Sequence, residues 1–165
     1  MKTGAIAIRS PRIYSLPSDQ GVSPDASRLQ DLVNDIFEFP NSISIGDSFR
    51  ETLENLTNAF LEASTEDWDA QGALPVTYET LTYAVGFLNA LPTTVPVPDI
   101  SVHPDGEIGF EWFREPRKVF TVSVNHIGDM SFAGLYGRSK IHGVEHFTNE
   151  IPETVALGLR RLFSR

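Results

Sequence analysis

The stretch between residues 99 and 147 constrains the fold more than any other part of this sequence, because it alternates short apolar segments with turn residues. Ile108, Phe110 and Trp112 alternate with polar or small residues, and this period of two is typical of strands with one buried face. The sequence His-Pro-Asp-Gly at 103–106 suits a type I turn, with proline second and glycine fourth. The pattern predicts an antiparallel meander of five strands at residues 100–102, 107–113, 119–125, 130–136 and 140–147.

Helical periodicity predicts four helices beside this sheet. A Ser-Pro pair at 23–24 suits the cap and first position of the first helix. Ser48 has the capping-box spacing to Glu51 at the start of the second helix, and Thr77 is the expected cap of the third. The fourth helix, at 151–164, carries arginines near its end, where cations complement the helix dipole.

These elements predict an α+β fold in the order αααβββββα, with the helices packed on one face of the sheet. One domain is the expectation for 165 residues. We expect a flexible or edge-strand N-terminal segment at 1–22 and a single domain at 23–165. Within that domain, the helical half covers 23–92 and the sheet covers 99–147.

The composition excludes several kinds of site and favours one compartment. The chain has no cysteine, which excludes disulfides, thiolate zinc sites and cysteine nucleophiles. It has no apolar run long enough to span a membrane, and its first residues lack the apolar core of a signal peptide. These features predict a cytoplasmic protein that does not bind membranes.

The net charge of −9 is concentrated in one part of the chain. Residues 23–98 contain twelve acidic and two basic side chains. Such a balance opposes nucleic-acid binding, which depends on neutralising phosphates with lysine and arginine. It is typical either of a solvated helix surface or of a protein that binds a basic protein partner.

The histidines do not predict a metal site or a catalytic site. His142 and His146 have a spacing that joins two metal ligands only on a helix, and the residues around them predict a strand. Four strand residues rise about 13 Å, which is too far for two imidazoles on one ion. His103 and His126 lie in turns, without a nucleophile elbow or a phosphate-binding glycine loop. We therefore predict no metal, no cofactor and no catalytic residue.

The segment 66–76 is the most distinctive local feature, because it places three carboxylates, a tryptophan and a glycine between two helices. Its carboxylates suit a hard cation, and Trp68 suits an interface anchor. The structural alternative is that Trp68 packs on the sheet, Asp69 accepts backbone N–H groups of the turn, and Gly72 supplies a positive φ. Both interpretations stay open at this point.

Some apolar surface is expected on the second face of the sheet. Four aromatic residues cannot all share the face of Phe110 and Trp112 without a shift of register; they are Phe113, Phe132, Tyr136 and Phe147. A partner could cover such a surface. The candidate binding residues are Trp68, Asp69, Trp112 and Tyr136.

A resemblance accompanies these motifs. Four short motifs resemble a group of small uncharacterised bacterial proteins: Trp-Asp-x-x-Gly-Ala-x-Pro at 68–75, a Leu-Pro helix end at 91–92, Glu-Ile-x-x-Glu-Trp at 107–112 and Ile-Pro-Glu at 151–153. The similarity covers residues 66–163. It implies a bacterial, cytoplasmic α+β domain and no catalytic residue.

The sequence favours a non-enzymatic protein-binding or regulatory domain that engages a basic protein or a second copy of itself. The alternative is a small hydrolase or a nucleic-acid-processing enzyme that uses Asp67, Asp69 and a histidine.

Overall fold

The structure is a computed structural model that describes residue 31 and residues 46–164. This part of the chain forms three helices and five strands. In chain order they are α1 (Asp47–Ala63), α2 (Tyr78–Ala90), β1 (Asp99–Val102), β2 (Ile108–Glu115), β3 (Lys118–Val124), β4 (Asp129–Tyr136), β5 (Ser139–His146) and α3 (Glu153–Phe163). The expected α+β class is confirmed.

The five strands form one antiparallel sheet in the order β1-β2-β3-β4-β5, so the predicted meander is confirmed. Every strand boundary lies within two residues of its predicted position. In the turn after β1, Gly106 has a φ of 82° and its N–H donates to the carbonyl of His103 at 3.0 Å. The pairing of β2 with β3 shifts between Phe113 and Glu115, which ends the regular alternation of β2.

The helix count and order differ from the expectation, since the described residues contain three helices in the order ααβββββα. Of the predicted first helix, which opens at Ser23, the structure describes only Asp31, which is helical, and the predicted segment 1–22 lies outside the described residues.

The two faces of the sheet have different surroundings. On the face that we call the helix face, strand residues pack with α1, α2 and α3 into one apolar core. The strand residues buried there are Ile108, Phe110, Trp112, Phe120, Val122, Val124, Met130 and Phe132. On the opposite face, which we call the outer face, the side chains of the alternate strand residues are exposed or half-buried. Within the described residues, the helices pack only on the helix face.

An aromatic cluster joins α2 to the centre of the sheet. Phe87 is fully buried, and its ring centroid lies 4.8 Å from that of Phe110 and 6.4 Å from that of Trp112. Its ring also meets Phe147 edge-on at 6.3 Å, while Trp112 lies 6.3 Å from Phe120. Tilted and edge-on pairs of this kind are favourable arrangements for aromatic rings. The cluster therefore fixes α2 against β2 and β3.

Helix α3 lies unusually close to the sheet because a glycine faces it. A Cβ on Gly158 would lie only 2.4 Å from Cε2 of Phe120. At the C-terminal end of α3, Nη1 of Arg114 donates to the carbonyls of Leu162 at 2.7 Å and Ser164 at 2.9 Å. Carbonyls at a helix C-terminus lack partners within the helix, so this arginine both satisfies them and ties α3 to β2.

The helix starts follow the predicted capping only in part. Oγ1 of Thr77 accepts the N–H of Thr80 at 3.2 Å, so the cap predicted for α2 is confirmed. The cap predicted at Ser48 is wrong, because α1 begins at Asp47 with Gly46 at the N-cap and no side-chain cap. Asp47 in the first turn instead complements the positive end of the helix dipole.

We expect the substitution Gly158→Ala to lower the free energy of unfolding by about 1–3 kcal/mol, because the added methyl overlaps the Phe120 ring in a packed core. The helix propensity of alanine opposes this effect by up to about 1 kcal/mol. Gly86→Ala is the matched control, since a Cβ at that helical glycine would lie 3.0 Å from Phe147 and should cost less. Urea unfolding measures the free energy of unfolding of both variants. A Gly158→Ala protein as stable as the wild type would contradict the close packing of α3.

Candidate functional site

The outer face carries a continuous row of apolar side chains that crosses the central strands. The register places Phe113 opposite Val119 and Val119 opposite Leu135, and Lys140 of β5 follows at the edge. Phe113 is 60% exposed, whereas Val119 and Leu135 are half-buried. We call Phe113, Val119 and Leu135 the apolar row. It is an exposed apolar strip on a face that no described helix covers.

A second row crosses all five strands next to the apolar row. In order from β1 to β5 it contains Asp99, Glu111, Thr121, Ala133 and His142. We call it the charged row. Its two carboxylates lie on β1 and β2, and its imidazole lies on β5.

A groove of about 250 Å³ lies on the outer face beside the charged row. Its floor includes Gly109, where a Cβ would lie 2.5 Å from Oγ of Ser101 and 2.7 Å from Nε2 of His103. The absence of a side chain at this position is what lets Ser101 and His103 lie over β2. The Ser101 Oγ and His103 Nε2 atoms are 3.4 Å apart at the groove's edge.

The turn between β1 and β2 holds a group of three side chains that could bind a divalent cation. Ligand atoms of His103, Asp105 and Glu107 all lie within 4.8 Å of one another. Both carboxylates already have partners in the protein. Oε2 of Glu107 accepts the O–H of Ser123 at 2.6 Å, and Oδ1 of Asp105 accepts the N–H of Glu107 at 3.2 Å. Sequence reasoning missed this group, although its spacing of two residues through a tight turn is a visible signal.

The histidines of β5 do not form a pair. His142 and His146 both lie in β5, as predicted, and their positions along a strand are about 13 Å apart. Nδ1 of His146 lies 2.9 Å from Oδ1 of Asp129 on the neighbouring strand. Glu145 points to the helix face, where its carboxylate accepts the O–H of Thr154 at 2.8 Å.

Two carboxylates of the segment 66–76 accept hydrogen bonds from backbone N–H groups of the same loop. Oδ1 of Asp67 accepts the N–H of Gly72 at 2.7 Å. Oδ1 of Asp69 accepts the N–H groups of Gln71 at 2.8 Å and Ala73 at 3.1 Å. Gly72 has a φ of 91°, the positive value expected from the sequence. These contacts agree with the structural interpretation of the segment, in which Asp69 accepts N–H groups of the turn and Gly72 supplies a positive φ.

Trp68 joins this loop to the core and to the turn that contains His103. Its half-buried ring packs against the core, and its Nε1–H donates to the carbonyl of Leu74 at 3.1 Å. The N–H of Leu74 in turn donates to the carbonyl of Pro104 at 2.8 Å. The structure therefore brings the segment 66–76 next to the β1–β2 turn.

Trp112 and Tyr136 belong to the helix face. Trp112 is 3% exposed, and its Nε1–H donates to the carbonyl of Pro96 at 2.7 Å. The hydroxyl of Tyr136 donates to the carbonyl of Gly158 at 2.8 Å, and the guanidinium carbon of Arg161 lies 4.4 Å from its ring centroid. Burial raises the pKa of Tyr136, and the charge of Arg161 opposes that rise. A binding role for either residue remains a prediction.

Of the four aromatic residues considered for the second face, only Phe113 lies there. Phe132 is buried on the helix face because the register of β3 and β4 places it opposite Val122. Phe147 is buried against Phe87 after the end of β5. The expected apolar surface on the outer face is therefore built from Phe113 and aliphatic residues.

A charged pair lies at the turn between β2 and β3, at the end of the sheet next to the apolar row. Nζ of Lys118 lies 2.6 Å from Oε1 of Glu115, and this hydrogen bond lowers the pKa of Glu115. Both side chains are exposed, so water and salt screen the pair. It contributes to the local charge pattern more than to stability.

Comparison of this chain with protein-family models, with curated proteins and with solved structures found no match. The similarity to a group of bacterial proteins rests on short motifs alone and stays a prediction. None of the helices in the described residues is long and apolar enough to cross a membrane.

We expect Trp68→Ala to lower the free energy of unfolding by about 2–4 kcal/mol, because it removes a half-buried ring from the edge of the core. Asp69→Ala should cost less, about 1–2 kcal/mol, through two lost hydrogen bonds. Trp68→Phe keeps most of the packing and loses only the hydrogen bond to Leu74. It should therefore lower the free energy of unfolding by less than Trp68→Ala does. Thermal and urea unfolding rank the three variants. A fully stable Trp68→Ala protein would instead favour a binding role for this side chain.

We expect the purified full chain to contain no stoichiometric zinc or iron, because Asp105 and Glu107 accept hydrogen bonds within the protein. Elemental analysis of untagged protein measures its zinc and iron content. About one equivalent of zinc that is lost in His103→Ala and retained in His142→Ala would contradict this expectation and identify the β1–β2 turn as the site.

Proposed function

We propose that this protein is a non-enzymatic protein-binding domain whose binding surface is the outer face of its sheet. The observation that carries the proposal is the apolar row, Phe113, Val119 and Leu135, on a sheet face that no described helix covers. Contiguous exposed apolar residues mark interaction surfaces more often than scattered ones do. Phenylalanine is also among the aromatic residues that are enriched in protein interfaces relative to the rest of the surface.

The surroundings of the apolar row support the same proposal. Charged and polar side chains border it, with Glu111 on one side and Lys140 at the β5 edge. Protein interfaces commonly have this anatomy, in which an apolar centre is enclosed by a polar rim. Val144, 67% exposed on β5, lies on the same face, separated along its strand from Lys140 by His142.

The enzymatic alternative has less support from the described residues. A hydrolase that uses Asp67 and Asp69 needs carboxylates free to act on a substrate or a metal ion. Both carboxylates here accept backbone N–H groups within their own loop. The net charge of −9 likewise disfavours a nucleic-acid substrate. A cytoplasmic location, a bacterial origin and a basic partner remain part of the proposal.

The test is affinity isolation from the cells that naturally produce the protein, with matched surface variants. We expect Phe113→Glu to lose the proteins that the wild-type chain retains, because a buried unpaired carboxylate is costly in an interface. Leu61→Glu is the control, since Leu61 is 53% exposed on α1 and belongs to neither row of the outer face. Equal retention by both variants, or loss only in Leu61→Glu, would overturn the proposal.

A further inference from the structure

We infer that the partner of the outer face is an extended protein segment that presents a basic side chain to Asp99 and Glu111 and an apolar side chain to Phe113. This inference rests on the proposed function, because it names the chemistry that the same surface recognises. It is carried by three features: the carboxylate pair of Asp99 and Glu111, the groove beside it, and the distance from it to the apolar row.

The carboxylate pair lacks a counter-charge within the protein. Asp99 and Glu111 lie directly opposite each other on β1 and β2. Residues in this position have Cβ atoms about 4.5–5.5 Å apart, and like charges there oppose the pairing of the strands. Both side chains are exposed, and among the described residues neither carboxylate has a hydrogen bond or an ion pair. A basic side chain bound between them would relieve this repulsion, so the pair favours a cationic partner over a neutral or an acidic one.

The other ionisable side chains at this end of the outer face do not neutralise the pair. Glu107 and Asp129 add two further carboxylates to the same face, and each has its own contact, with Ser123 and His146 respectively. His142, which completes the charged row, is counted neutral at pH 7. This end of the outer face is therefore acidic, in keeping with the net charge of −9 for the whole chain.

The basic side chains near the outer face lie away from the carboxylate pair. Lys140 on β5 is three strand spacings from Glu111 on β2, which is about 14 Å. Arg117 and Arg138 lie in the turns at the opposite end of the strands, beyond the apolar row. A partner that reaches both the carboxylate pair and the apolar row therefore meets negative charge on one side of the exposed phenylalanine. Opposite charges across an interface speed association and exclude like-charged partners.

The groove beside the pair suits the hydrogen-bond donors of a basic side chain. Its volume is about 250 Å³, and Glu111 lies in its lining together with Ser101, Thr121 and Ser131. Gly109 leaves part of its floor without a side chain. A guanidinium group has five N–H donors and no acceptor, and its planar fork matches a carboxylate. A groove lined by hydroxyl oxygens and bordered by a carboxylate therefore suits arginine in particular.

The distance to the apolar row defines the spacing that the partner needs. Glu111 and Phe113 are two residues apart on β2, so their side chains leave the same face about 7 Å apart along the strand. In an extended segment, side chains two residues apart have the same separation. The segment that fits best therefore carries a basic residue two positions from a large apolar residue.

Selection from a random peptide library displayed on phage tests the inference, with the full chain as the target. The enriched peptides should carry arginine or lysine two positions from a large apolar residue. A synthetic copy of the most enriched peptide should bind more weakly at high salt, because salt screens exposed charges. Enriched peptides without a basic residue, or no enrichment above a surface without protein, would overturn the inference.

Charge reversal at one position tests the carboxylate pair with the same synthetic peptide. Fluorescence polarisation should show binding weakened tenfold or more in Glu111→Lys, about 1.4 kcal/mol or more in free energy. Glu62→Lys is the matched control, since it makes the same change of charge at an exposed residue of α1 and should change the affinity less than about twofold. Circular dichroism confirms that both variants are folded. Equal weakening by the two variants would overturn the inference, because it would show an effect of net charge alone.

The two proposals fail in different ways. Peptide binding that is weakened by Phe113→Ala and not by Glu111→Lys would retain the outer face as a binding surface and exclude the basic side chain. Peptides that ignore both substitutions, together with captured proteins that ignore Phe113→Glu, would remove the function from this face.

Discussion

The close packing of α3 on the Phe120 ring is the constraint on which the rest of the structure depends. Phe120 lies on the central strand, is fully buried, and lies 6.2 Å from Phe132 between ring centroids. Gly158 lets the helix backbone approach this ring, and Phe87 of α2 closes the neighbouring part of the sheet. Because the bulky strand residues are buried on this one face, the apolar row on the other face has no described helix over it.

The strands could be predicted from the sequence because two independent signals agree there. Apolar residues alternate with a period of two, and glycine or proline occurs where each hairpin turns. The starts of the helices were harder to predict. Ser48 and Glu51 have the right spacing for a capping box, but α1 begins at Asp47, one residue before Ser48. A spacing shows that a cap is chemically available, but the preceding chain decides where the helix begins.

The candidate site was less predictable because it depends on which strands lie side by side. Phe113, Val119 and Leu135 are distant in sequence, and they form a row only through the register of three strands. The shift after Phe113 is invisible in the alternation pattern, so the face of the later β2 residues could not be derived. Gly109 is a similar case, because its role depends on side chains from β1 that lie over it.

The outer face can be examined directly by two-dimensional NMR of the isotope-labelled full chain, recorded alone and with the proteins that affinity isolation captures. If a partner covers this face, amide signals of Phe113, Thr121 and Leu135 will move when the captured proteins are added. Signals of the exposed α1 surface around Leu61 will stay in place. Changes confined to the helices, or spectra that do not change on addition, would contradict a sheet that buries one face in its core and binds a partner with the other.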